Sequence, residues 1–165
     1  MALATIAGCD KESSETGENG GGGNTPAVYV DLGLPSGTLW KSVNETNPND
    51  KYNFYTYDKA VAAFGSKLPA KEQLEELIDN CVWTWNPTKK GYDVEGKNGN
   101  SIFLPAAGWC NYSADVLYRV GSYGIYWSST PYGSEGAWYL KFDSVEVYMY
   151  YKPRYNGQSV RLVQD

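Results

Sequence analysis

The stretch Trp138-Tyr139-Leu140-Lys141-Phe142-Asp143-Ser144-Val145-Glu146-Val147-Tyr148-Met149-Tyr150-Tyr151-Lys152-Pro153 decides how the chain is read. Side chains alternate between the two faces of a strand, so Trp138, Leu140 and Phe142 share one face, and after the Asp143-Ser144 turn Val147 and Met149 share one. These are expected in the core. The intercalated Tyr139, Lys141, Glu146, Tyr148 and Tyr150 then point the other way, followed by Tyr151, Lys152 and Pro153 in a loop. Upstream, the same alternation gives Val28, Val30 and Leu32 as a short strand stopped by Gly33 and the Pro35-Ser36-Gly37 turn, with Thr38, Leu39 and Trp40 resuming it. Val82 to Trp85, Tyr92 to Val94 and Ser101 to Pro105 are further strands, the last two separated by an Asn98-Gly99 hairpin signal.

Two segments carry the helical period instead. Thr56 to Phe64 runs into Gly65, which suits a C-cap. In the second, Leu74, Leu77, Ile78 and Cys81 lie at i, i+3, i+4 and i+7, while Lys71, Glu72, Glu75, Glu76 and Asp79 fill the opposite, solvated side. Ala70 stands at the N-cap position ahead of Gln73, where a hydroxyl would complete a capping box. The expected fold class is therefore α+β, with two helices in the first half and a turn-rich β half.

The chain has 165 residues, 42% hydrophobic and 20% charged, with a net charge of −5 and no histidine. The missing histidine excludes Ser-His-Asp and Cys-His catalysis and His-ligated metal. The net charge excludes a strongly basic nucleic-acid binder. Cys9, Cys81 and Cys110 lack C-x-x-C spacing for zinc and allow at most one bridge, between Cys81 and Cys110. No metal or cofactor is expected.

Residues 3 to 8, Leu-Ala-Thr-Ile-Ala-Gly, run into Cys9 and resemble a bacterial lipobox, with Cys9 as the lipidation site. Residues 1–9 are read as a remnant signal peptide, residues 10–26 as an acidic, Gly-rich flexible tether, and residues 27–165 as the folded domain. An acidic cluster after a lipidated Cys resembles the signal that sends lipoproteins of some gut bacteria to the outer face of the outer membrane.

Several strings then become recognisable in order: Val30-Asp31-Leu32-Gly33-Leu34-Pro35-Ser36-Gly37-Thr38-Leu39-Trp40, Lys67-Leu68-Pro69, Glu76 to Cys81, Ile102 to Gly108, Tyr126 to Thr130 and Arg154 to Arg161. Together they resemble the paralogous C-type-lectin-like domains on surface lipoproteins of gut bacteria, which are similar to the variable proteins of diversity-generating retroelements. The resemblance implies a C-type-lectin-like fold, two helices packed on short antiparallel strands, in which the strand Val28 to Leu32 pairs with Val160 to Val163. Codons randomised from AAY would account for Tyr123, Ile125, Tyr132, Tyr148, Tyr150, Tyr151 and Pro153, though not for Glu146 or Lys152. Tyr126 and Tyr155 fall inside the framework strings and are read as structural.

The residues nominated for ligand binding are Tyr123, Ile125, Tyr132, Tyr139, Lys141, Glu146, Tyr148, Tyr150, Tyr151, Lys152 and Pro153. Tyrosine supplies a large, rigid, amphipathic surface with few rotatable bonds, as antibody paratopes exploit. The expected function is non-catalytic recognition or adhesion at the cell surface, by a monomer held to the membrane through its lipid alone, its partner a protein or glycan on another cell, phage or host surface. Packing as an adhesin or fimbria-associated subunit, and calcium-independent carbohydrate binding, are the alternatives. Calcium-lectin strings of the Glu-Pro-Asn or Gln-Pro-Asp type are missing, and Cys81 and Cys110 lie in contexts unlike a copper-binding pair.

Overall fold

The computed structural model describes residues 28–113 and 115–165. Cys9, the leader and the tether lie outside the described residues. Twelve short strands and two helices follow in order: β1 Tyr29–Asp31, β2 Leu39–Lys41, α1 Tyr57–Phe64, α2 Lys71–Asn80, β3 Val82–Asn86, β4 Gly91–Glu95, β5 Ser101–Pro105, β6 Trp109–Asn111, β7 Val116–Tyr118, β8 Gly124–Tyr132, β9 Gly136–Phe142, β10 Val147–Pro153, β11 Asn156–Gly157 and β12 Val163–Gln164. A single 3₁₀ turn, Gly65–Lys67, joins the helices.

The strands form four separate three-stranded antiparallel sheets, ordered β1-β2-β12, β3-β4-β5, β11-β6-β7 and β10-β9-β8. The molecule is mostly β, which corrects the α+β, C-type-lectin-like expectation. The helices do form where the 3.6-residue period places them, but together they occupy little chain, and the aromatic and β-branched remainder pairs into hairpins. The expected partnership of the two terminal strands is also corrected. β2 stands between them: Val163 pairs with Trp40, and Trp40 with Val30. The tight turn at Leu34 to Gly37, closed by the Gly37 N–H to the Leu34 carbonyl at 3.0 Å, folds β2 back onto β1 before the C-terminus arrives.

The sheet β8–β10 is central because both its faces are covered. On one face Tyr126, Leu140 and Phe142, with Val147 and Met149, join a core that includes Leu74 and Leu77 of α2, Tyr92, Val94, Ile102 and Leu104 of β4 and β5, and Trp40 and Val163. On the other, Ile125, Trp127, Ala137 and Tyr139 pack with Tyr57 and Ala60 of α1, Leu68, Val160 and Leu162. Segment 158–160 runs beside β8, its Ser159 N–H donating to the Ile125 carbonyl at 3.0 Å and its carbonyl accepting from the Trp127 N–H at 3.1 Å. Of the apolar half of the alternation, Leu140 and Phe142 are buried core as expected, Val147 and Met149 are half-buried against it, and Trp138 is half-buried.

Cys81 caps the C-terminal end of α2 and Cys110 is buried in β6, and both are free thiols rather than a bridge. Burial raises the Cys81 thiol to about 11, with the Glu76 carboxylate adding to the effect.

Candidate functional site

Strand register assembles the site on the second face of the central sheet. Ile125 pairs with Lys141 and Lys141 with Tyr148, giving one cross-strand row; Trp127, Tyr139 and Tyr150 give the next. At one end of this face lies a pocket of about 260 Å³ that no residue of α1 lines. It is enclosed by Trp109 of β6, Tyr123, Ile125, Tyr139, Lys141, Tyr148, Tyr150 and Lys152. Seven of the eleven nominated residues are among these eight.

They play different parts. Tyr139 and Ile125 are 1% and 2% exposed, so the outward orientation expected for Tyr139 and the surface role expected for Ile125 are corrected: both form the pocket's floor. Strand alternation sorted Tyr139 correctly, but the face that both residues occupy packs on α1 and on Val160 and Leu162. Tyr139 meets Trp127 and Tyr150 edge to face at 6.0 and 6.1 Å, and its burial raises its hydroxyl above the ordinary tyrosine range. Tyr148 and Tyr150 form the wall, edge to face at 6.2 Å, and Tyr150 is 46% exposed.

Both lysines lie on aromatic faces. The Lys141 ammonium is 4.7 Å from the Tyr123 ring centroid and 5.2 Å from that of Tyr148, whose hydroxyl accepts its hydrogen bond at 2.7 Å. The Lys152 ammonium is 4.0 Å from the Trp109 ring, which stacks on Tyr118 at 4.7 Å. Burial and the charge of Lys141 both lower the Lys152 ammonium below its ordinary range. Trp109 was missed by sequence reasoning because it lies on a short strand far along the chain, and only the fold brings it to β10.

The remaining nominated residues go elsewhere. Tyr132, Tyr151 and Pro153 lie on the α2 side of the sheet, where Tyr132 stacks on Tyr151 at 3.8 Å and both meet Trp138 edge to face. With Lys152, Ser134 and Glu135 they border a second, more open hollow of about 320 Å³. Tyr150 and Tyr151, adjacent in sequence, also stack at 5.2 Å, so the two aromatic groups meet at the edge strand β10. Glu146 is exposed and belongs to the turn, its N–H donating to the Asp143 carboxylate at 3.1 Å; it lines neither hollow.

The structural reading of Tyr126 agrees with its position: it is 1% exposed and donates to the Pro105 carbonyl at 2.7 Å, and burial pushes its hydroxyl up to about 12. Tyr155 does not behave alike. It is 53% exposed and lines a third hollow with Thr56, Asp58 and Arg154. Among the described residues no cluster of three or more Cys, Asp or Glu side chains is placed to hold a metal ion.

Residues 69–163 match the model of a domain of unknown function, DUF8237. The chain belongs to this family. The DUF8237 region runs from just before α2 to the first residue of β12, so it contains all eight residues of the aromatic pocket and excludes β1, β2 and α1. No curated protein and no solved structure matches the chain.

Proposed function

We propose that this protein is a non-catalytic recognition module that takes its ligand in the aromatic pocket between β6 and β8–β10. The observation that carries the reading is the convergence there of tyrosines and lysines from β9, β10 and the residue before β8 around a floor that includes the buried Ile125. Rings held by a packed sheet lose little freedom on binding, while their hydroxyls can orient a polar ligand. The same reading has the chain lipidated at Cys9 and displayed on the cell exterior, where it recognises a protein or glycan, with retroelement mutagenesis as a source of its tyrosines.

The test is a glycan array together with pull-down on full-length protein, repeated with two double variants. Tyr148→Ala with Tyr150→Ala is expected to abolish binding while the melting temperature moves by only a few degrees; retained binding would overturn the assignment. Tyr132→Ala with Tyr151→Ala addresses a second reading, packing against another protein as an adhesin or fimbria-associated subunit, favoured by the exposed stack of those two rings. Mass spectrometry of membrane-extracted protein is expected to find acylated Cys9, and a template repeat beside a reverse transcriptase gene would support the retroelement origin.

A further inference from the structure

Within the proposed recognition site, on which this inference rests, the charges have one sign. Lys141 and Lys152 are the charged residues among those lining the pocket, and no carboxylate lines it. Among the described residues neither ammonium forms an ion pair, although Asp143 acts on Lys141 from beyond ion-pair distance. Each instead rests on aromatic faces, Lys141 over Tyr123 and Tyr148 and Lys152 over Trp109. Both are half-buried, so two like charges are held in partial shelter from water at a cost that an anion between them would offset.

The whole molecule points the opposite way, with a net charge of −5. A net negative chain disfavours an extended polyanion relative to a small anion that fits locally. A volume of about 260 Å³ holds one ring-sized group. Tyrosine hydroxyls and ring edges around it suit a hydroxylated ring better than a purely apolar one. From these observations we propose that the pocket accepts a single acidic sugar unit, a pyranose bearing one carboxylate, with the carboxylate between Lys141 and Lys152 and the ring against Tyr148 and Tyr150.

Calorimetric titration of the full chain with glucuronic acid and with glucose tests this. The uronate is expected to bind saturably and at least about tenfold more tightly than the neutral ring, consistent with a hydrogen bond to a charged group. Lys152→Gln is expected to remove that preference and Lys152→Arg to retain most of it, with melting curves recorded for both. Should Lys152→Gln not fold, the wild-type comparison of the two sugars still decides. Equal binding of both sugars, or no uronate binding, overturns the proposal. If another ligand is then captured in a manner that needs Tyr148 and Tyr150, the recognition site stands and only the acidic-sugar assignment falls. If capture is indifferent to those tyrosines, the site itself is wrong.

Discussion

Arg161 is 2% exposed, and its guanidinium has no carboxylate within ion-pair distance among the described residues. Its nitrogens donate instead to the Asn44 side-chain oxygen at 2.8 Å, the Lys41 carbonyl at 2.9 Å and the Phe103 carbonyl at 2.7 Å. Three segments distant in sequence are therefore tied at one planar group, a geometry that a lysine ammonium cannot reproduce. Arg161→Met leaves those acceptors without their donor and is expected to destabilise by about 3 kcal/mol, and Arg161→Lys by somewhat less, as read from urea unfolding midpoints. A Met variant as stable as the parent would refute the tie. Gly124 illustrates packing at the opposite extreme of size. A Cβ there would fall 1.9 Å from the Phe142 ring, so Gly124→Ala is expected to cost about 1–3 kcal/mol by the same assay.

At the level of elements, α2 shows how much a period can reveal. Leu74 and Leu77 are buried as the i, i+3 pattern requires, and Glu76 on the other side accepts from the Ser36 N–H at 2.9 Å and from its hydroxyl at 2.6 Å, anchoring the β1–β2 turn. The helix start is half a capping box: the Gln73 side chain accepts from the Ala70 N–H at 2.9 Å, but alanine has no oxygen to return. The Thr130 hydroxyl, from β8, serves the Lys71 N–H at 2.9 Å. Ala70→Thr is expected to raise stability by about 1 kcal/mol, and an unchanged melting temperature would show that the first turn is already satisfied. Strand alternation was equally legible, since Leu140 and Phe142 are core and Lys141, Tyr148 and Tyr150 do share a face. Illegible was the cover over that face, because the residues that bury Tyr139 come from α1 and from the segment ending in Leu162.

The whole molecule gathers tyrosines in its interior, and this gives stability a sign with pH. Burial raises Tyr126 from 10.0 to about 12 and raises Tyr139 in the same direction. Below pH 10 both states are protonated and the contribution is fully present. Above it the unfolded chain ionises while the folded chain does not, so stability is expected to fall by up to about 1.4 kcal/mol per pH unit per buried tyrosine, with the Tyr126 contribution lost near pH 12. Denaturant midpoints flat from pH 8 to 12 would contradict this. Local spacing and turn residues determined the two helices, the β3–β4–β5 strands, the turn between β9 and β10 and which residues alternate on those two strands, since these follow from 3.6- or 2-residue repeats and from turn chemistry. Four separate sheets, β2 between the terminal strands, Trp109 beside Lys152 and the division of the tyrosines between two hollows were decided by tertiary structure. A repeat says which side chains face together but carries no information about what packs against them, and burial depends on that second partner.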